Sequence, residues 1–376
     1  MRFSRRAWMR DAPTALWALG LAAPVPSWAQ ADDDTVHAGR VWRWPRDHGA
    51  HPGVRNEWWY ATGWLEPPGN APPIGFQVTF FRHRTGLAES LRGRFAPRQL
   101  LFAHAALSDI GAQRHWQLQR VQRWSGDEAA RDGHAQRGDT DLRVGPWWLR
   151  RSGDAPAGRY DSEVGGTHAA FKLALELQAT QPLLLQGQAG YSRKGPLPSQ
   201  ASHYYSLPHL RAHARIERGS HRQELRGSAW LDHEWSDEYL PPNAVGWDWF
   251  GINLDDGGAL MGFRLRRADG GTLWSGGTHR AADGRVRTFD DGELHFTPQR
   301  RWISPATQAR YPVQWQLATP AGTFDLHTLM DAQELDGRAS NGAVYWEGLS
   351  DLLDARGRRV GRGYLEMTGY AKPLQM

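Results

Sequence analysis

The stretch FGINLDDGGALMGFRLR, residues 250–266, alternates apolar and polar side chains on either side of Asp255-Asp256-Gly257-Gly258. A period of two is that of a β-strand, whose successive side chains point to opposite faces. The Asp- and Gly-rich centre accepts the positive φ that a tight hairpin turn needs. The stretch therefore predicts two antiparallel strands joined directly.

The same signature recurs in IGFQVTFFR (74–82), AFKLALELQ (170–178) and TFDLHTLM (323–330), short runs separated by segments with Gly, Pro, Asp and Asn. APRQLLFAHAALSD (96–109) could pass for a helix, but its apolar residues run without a helical stripe from Leu100 to Leu107, so a buried strand is expected. Short strands with turn punctuation predict an all-β protein of two barrels or sandwiches. The charged stretch Glu217–Arg226 marks the expected boundary, giving an N-terminal domain over 40–226 and a C-terminal one over 227–372.

Composition agrees with a globular chain. Of 376 residues 40% are hydrophobic and 23% charged, enough apolar surface for two cores. The net charge of +5 is carried almost wholly by arginine, since only Lys172, Lys194 and Lys372 are lysines among 45 basic residues. These bases are interspersed with acids, without a run of five or six, which argues against a nucleic-acid partner. The 20 tryptophans suit either the cores of a β-protein or a cavity for a greasy ligand.

The N-terminus has the three parts of a secretory signal: a basic start, a short apolar run and small residues before an acidic stretch. Arg5 and Arg6 in SRRAWMR fit a twin-arginine signal, with a Sec signal as the alternative. Cleavage after Ala29 or Ala31 would lower the net charge from +5 to +2 by removing four Arg and one Asp. No later run of 18 apolar residues exists, so a periplasmic or secreted protein without a membrane span is expected. With no cysteine, the chain has no disulfide, thiolate metal site or cysteine nucleophile.

Several catalytic signatures are missing. GYSRK and GLSDL lack the second Gly of a nucleophile elbow, no phosphate-binding glycine loop is present, and HEWSD is not His-Glu-x-x-His. His48 and His51 in DHGAH have no obvious further metal ligands and read as ordinary surface, so neither metal nor cofactor is expected. His104 reads as a hydrogen-bonded core histidine.

RNEWWYATGWL (55–65) places Glu57, Trp59, Ala61 and Gly63 on one strand face and Trp58, Tyr60, Thr62 and Trp64 on the other. If the first face lines a barrel, Glu57 is expected to have a raised pKa and to serve as a general acid; otherwise it is a surface acid or half of an Arg pair. Buried carboxylates also tie loops down through backbone N–H groups.

Seven blocks in order, EWWYATGWL, FAHAALSD, SHYYSLPHL, AWLDHEWSDEYL, GWDWFGINLDDGGALMGFRLR, YWEG and GYLEMTGY, resemble the lipocalin-like family of AttH proteins and carotenoid 1,2-hydratases, often labelled predicted secreted hydrolases. The resemblance spans about residues 40 to 372. It implies two calycin-like barrels in tandem, a hydrophobic cavity and a site near their junction. In the hydratases an alkene is protonated and the cation captured by water, which needs an acid, a dry pocket and aromatic faces. The family's His-x-Trp pair fits His233 and Trp235. Its Tyr-x-Asp pair finds neither residue in GALMGFRLR, which leaves Asp248, Glu57, Asp232 or Glu234 as substitute acids.

The expectation is a protein that binds, and chemically modifies in one reading, an isoprenoid or lipid near the junction. Its candidate catalytic residues are His233, Asp248 and Glu57, and its candidate ligand contacts are Trp235, Trp59, Tyr60, Trp247 and Trp249. His233 could instead fix the domain junction by bonding a carboxylate. The alternatives are a hydratase or hydrolase using His233 with a carboxylate, and an accessory protein of an ABC-type permease, a partner the AttH resemblance implies.

Overall fold

A computed structural model describes residues 34–374 except 92, 94, 95 and 167. The expected signal segment, residues 1–31, lies outside them. Apart from one 3-10 turn, Arg46–His48, every element among the described residues is a strand.

The first sheet comprises β1 (Asn56–Glu66), β2 (Ile74–Arg84), β3 (Gln99–Asp109), β4 (Arg114–Trp124), β5 (Gly133–Ala135), β6 (Asp141–Val144), β7 (Trp147–Ser152), β8 (Arg159–Gly165), β9 (Lys172–Gln178), β10 (Leu184–Leu185), β11 (Tyr191–Arg193), β12 (Ala201–Arg218) and β13 (His221–Ser236). Most of the rest, β14 (Gly246–Leu254), β15 (Ala259–Arg266), β16 (Thr272–Arg280), β17 (Val286–Phe289), β18 (His295–Pro298), β19 (Arg301–Ile303), β20 (Arg310–Pro312), β21 (Gln314–Thr319), β22 (Gly322–Thr328), β23 (Glu334–Asp336), β24 (Val344–Leu353) and β25 (Arg359–Thr368), form the second, with β19 and β20 as a separate pair.

The first sheet runs β4-β3-β2-β1-β13-β12-β9-β8-β7-β6-β5 and curls until its two edges approach. A Cβ on Gly133 of β5 would stand 2.5 Å from the Gln122 side chain of β4. The second runs β17-β16-β15-β14-β25-β24-β22-β21-β18. All pairings are antiparallel, and the two near-barrels match the lipocalin-like tandem. The hairpin at 250–266 is β14 and β15, and APRQLLFAHAALSD contains β3.

The expected boundary near residue 226 falls inside β13, and the chain changes sheet between Ser236 and Gly246. Glu217–Arg226 is charged because it forms the solvated tip of the long β12–β13 hairpin, where Arg218 pairs with His221. Polarity there marks a hairpin end, not a linker.

β1 and β13 sit at the centre of the first sheet, and β1 and the second half of β13, from Ala229, are buried on both faces. Trp59, Ala61, Leu65, Leu231 and Trp235 join the first core. Tyr60 and Trp230 join a separate cluster with Trp249, Phe263, Leu349 and Tyr364 from the second sheet. The junction between the sheets is therefore an apolar layer built from the outward faces of two barrels. Close strand approach requires Gly227, opposite Leu65, because a Cβ there would run into the carbonyl oxygen of Trp64. Gly227→Ala should lower stability by about 1–3 kcal/mol, as overpacking does, read as a fall in the urea midpoint.

Candidate functional site

Glu57 faces the first barrel's interior and is 1% exposed. Its Oε1 accepts from His51 Nδ1 at 2.7 Å and from His233 Nε2 at 3.0 Å; its Oε2 accepts from Arg82 Nε at 2.8 Å and the His51 amide at 2.9 Å. Arg82 also donates to the carbonyls of His51 and Val54, at 2.8 and 3.0 Å. Burial alone would raise the Glu57 pKa, but Arg82 and the two imidazoles hold it well below the ordinary value. Glu57 is thus an ionised tie between the segment preceding β1 and the barrel wall, not a proton donor.

His233 is fixed in the same network. With Nε2–H given to Glu57, its Nδ1 accepts from the Tyr205 hydroxyl at 3.0 Å, and that oxygen lies 2.7 Å from His48 Nδ1. Burial pushes the His233 pKa down to about 4, so the imidazole is neutral. Trp235 stacks on His51 at 3.7 Å and Trp59 on His233 at 4.5 Å, all within the first barrel. His48 and His51, read from sequence as surface, are fully buried because the segment that carries them packs into the barrel.

His51, Glu57 and His233 bring three ligand-type atoms within 4.8 Å of one another. Each atom is already engaged in an N–H···O bond to the Glu57 carboxylate, whose second oxygen is held by Arg82.

Asp248 lies inside the second barrel. Its Oδ2 is 2.7 Å from Arg264 Nε and 3.2 Å from Arg266 Nε, and its Oδ1 accepts from the Tyr370 hydroxyl at 2.9 Å. Asp248 and His233 therefore occupy different interiors. The structure does not bring them together.

What the structure does assemble is a cavity of about 430 Å³ at the junction, in the size range of small-molecule sites. Trp58 and Tyr60 of β1, Trp247 and Trp249 of β14 and Phe263 of β15 supply aromatic walls. Of the eight expected site residues, Tyr60, Trp247, Trp249 and Glu57 border it, Glu57 with its carboxylate turned inward to the barrel; His233, Trp59, Trp235 and Asp248 do not.

Four carboxyls also line the cavity: Asp232 and Glu234 of β13, Glu347 of β24 and Glu366 of β25. Asp232 accepts from Tyr204 Oη at 2.8 Å, Trp230 Nε1 at 2.6 Å and Ser206 Oγ at 2.5 Å, yet burial lifts its pKa to about 7. Glu347 and Glu366 are directly paired across strands. Burial pushes Glu366 up to about 8 although Trp247 Nε1 donates to it at 3.1 Å. Burial and the neighbouring Glu366 raise Glu347 well above the ordinary value, and its Oε2 is buried without a hydrogen-bond partner. Only Glu234 has a cation, Lys194 Nζ at 2.8 Å.

A family model described as AttH-like matches residues 35–370. The chain belongs to the AttH-like family. A crystal structure assigned as a candidate AttH of Nitrosomonas europaea is 44% identical, covering 89% of this chain and 99% of that one, with a TM-score of 0.80. At 15% identity, kievitone hydratase from Nectria haematococca superposes with a TM-score of 0.62 over 90% of this chain and 96% of its own. That identity speaks for the fold alone. No curated protein matches.

In this AttH-like chain, sequence reasoning passed over Glu347 and Glu366, although their blocks YWEG and GYLEMTGY were among the family's. The available signal was an acid inside each of two strands with apolar neighbours on both sides. What no pattern supplied was the register placing them opposite each other.

Glu57→Gln would leave Arg82 buried without its counter-charge, which should cost about 3–5 kcal/mol in chemical denaturation. Stability should also peak near pH 6.5. His48, His104, His115, His203 and His233 all have lowered pKa values, chiefly from burial, so below about 6.5 the unfolded chain binds protons that the folded one does not. Above that pH the folded chain retains protons on Asp232 and Glu366, up to about 7 and 8, that the unfolded chain has released, so stability falls again. Glu366→Gln should flatten the alkaline limb of Tm against pH.

Proposed function

We propose that this AttH-like protein is exported and binds an apolar small molecule at the barrel junction, where buried carboxylic acids carry out acid chemistry of the hydration type. The observation that carries this reading is the pair Glu347 and Glu366: two carboxyls with raised pKa values, set without a cation in an aromatic cavity. Unpaired buried acids of this kind hold their protons at neutral pH and can deliver them into a dry pocket.

In a hydration step, a Glu347 or Glu366 proton would pass to one alkene carbon and leave a cation on its neighbour. Faces of Trp58, Tyr60 and Trp249 would attract that cation. Water would add its oxygen to the cationic carbon and lose a proton to Asp232, whose three donors suit it to act as the accepting carboxylate. Return of that proton to the Glu pair completes the cycle. The Nectria protein of the same fold is named a hydratase; for this chain the support lies in its own carboxyls. Export rests on the basic, apolar and small-residue pattern of residues 1–31.

Solvent extraction of the purified protein followed by mass spectrometry should release an apolar compound, and apolar probes should quench tryptophan fluorescence. Incubation with terminal isoprenoid alkenes should yield water adducts. Glu366→Gln or Glu347→Gln should slow that reaction about 10²- to 10⁴-fold while probes still bind. The rate should decline above pH 8 as Glu366 ionises. An empty protein that no apolar probe quenches would end the reading.

A further inference from the structure

The flank of the cavity opposite the acid pair carries different chemistry. Lys194 is 6% exposed and borders the cavity. Its ammonium donates to Ser192 Oγ at 3.1 Å and pairs with Glu234 Oε1 at 2.8 Å, an oxygen that also accepts from the Ser202 hydroxyl. The same Nζ stands 4.0 Å from the Phe263 ring centroid and 5.1 Å from that of Tyr204. Two oxygen partners leave one of its three N–H donors without an oxygen, and because Lys194 borders the cavity, a ligand oxygen reaching it from there would gain a charge-assisted bond.

Strand order fixes how far this group lies from the acids. Along the second sheet the sequence of neighbours is β24, β25, β14, β15. Glu347 stands on the first, Glu366 on the second and Phe263 on the last, so the two acids lie three and two strand spacings from Phe263, roughly 14 and 10 Å along the sheet. The cavity is therefore two-ended: protonated acids at one flank, a neutralised ammonium–carboxylate pair at the other, and tryptophan faces between.

The charge balance restricts what the Lys194 end can accept. An anionic group would meet a lysine already neutralised by Glu234 and the further carboxyl of Asp232 beyond it. A hydroxyl would gain one bond but must place its own proton. A carbonyl needs only a single donor. Residue choice points the same way, because a chain that uses arginine nearly everywhere places one of its three lysines here. Arginine's planar fork matches carboxylates, whereas a compact ammonium suits one acceptor.

We propose that Lys194, held by Glu234, anchors a neutral carbonyl oxygen of the ligand, so that the molecule recognised is an apolar ketone or aldehyde whose reactive carbon lies at the Glu347–Glu366 end. This deepens the junction-pocket reading and rests on it.

The test is a binding series on two skeletons, an open isoprenoid and a fused aromatic, each as hydrocarbon, methyl ketone and carboxylic acid. Geranylacetone and 2-acetylnaphthalene serve as the ketones, and affinity is read by tryptophan quenching and calorimetry. At least one ketone should bind about 10- to 100-fold more tightly than its hydrocarbon, as expected for a hydrogen bond to a charged group, and more tightly than its acid. Lys194→Met should abolish that preference, and so should Lys194→Met combined with Glu234→Gln, which leaves no buried carboxylate without its cation; circular dichroism reports that each variant is folded. Equal binding of ketone and hydrocarbon, a preference for the acid, or a ketone preference that survives in Lys194→Met would overturn the anchor and leave the apolar pocket standing. If no member of either series binds the wild-type protein, the pocket reading falls and the anchor with it.

Discussion

Two-sided burial of β13, with β1 beside it, is the constraint on which the rest of the structure depends. Leu231, His233 and Trp235 point into the first barrel, while Asp232 and Glu234 point out into the junction. A slip of one residue would exchange these sets, sending acids into the core and tryptophan into the cavity. The register is held from both sides, since β1 pairs with β13 along its whole length and β12 pairs with most of it. Most of the cavity wall is consequently made of strand faces, which fix side chains more firmly than loops do.

That arrangement divides buried polar groups into two populations. Inside the barrels each acid meets a cation: Glu57 meets Arg82, and Asp248 meets Arg264 and Arg266. These pairs are architectural. Glu57 accepts from the amide of His51, and Arg82 donates to the carbonyls of His51 and Val54, so one ion pair closes the segment before β1 against the wall. A buried charge left with one partner missing would be expensive, which is why the interiors carry matched sets.

The fold was legible in the sequence because period-two alternation depends only on neighbours along the chain. FGINLDDGGALMGFRLR showed both strands and their turn, and RNEWWYATGWL showed which residues share a face. Local reading failed where meaning depended on distant partners. The charges of Glu217–Arg226 looked like a linker until β12 and β13 were seen to pair there. Glu57 could have been acid or tie, and the deciding residue, Arg82, lies on the next strand. The DHEWS block drew attention to His233, yet the cavity-facing residues are its neighbours Asp232 and Glu234. Glu347 and Glu366 stood nineteen positions apart, and only the β24–β25 register makes them a pair.

Glu347 and Glu366 are buried acids that have no cation. Keeping Glu366 protonated at pH 7 costs about 3 kcal/mol relative to its ionised form in water, given a pKa moved from 4.5 to about 8. Glutamine would fill nearly the same volume without that cost, and arginines are plentiful in the chain to neutralise a carboxylate, as they do inside both barrels. Neither remedy is used at Glu366 or its partner Glu347, which also keeps an oxygen without a hydrogen-bond partner. Glu57, matched by Arg82, secures a strap, and Asp248, matched by Arg264 and Arg266, a barrel interior, but Glu347 and Glu366 tie down no loop. Their protons and the unfilled acceptor face a cavity, so the stability lost there secures no part of the fold.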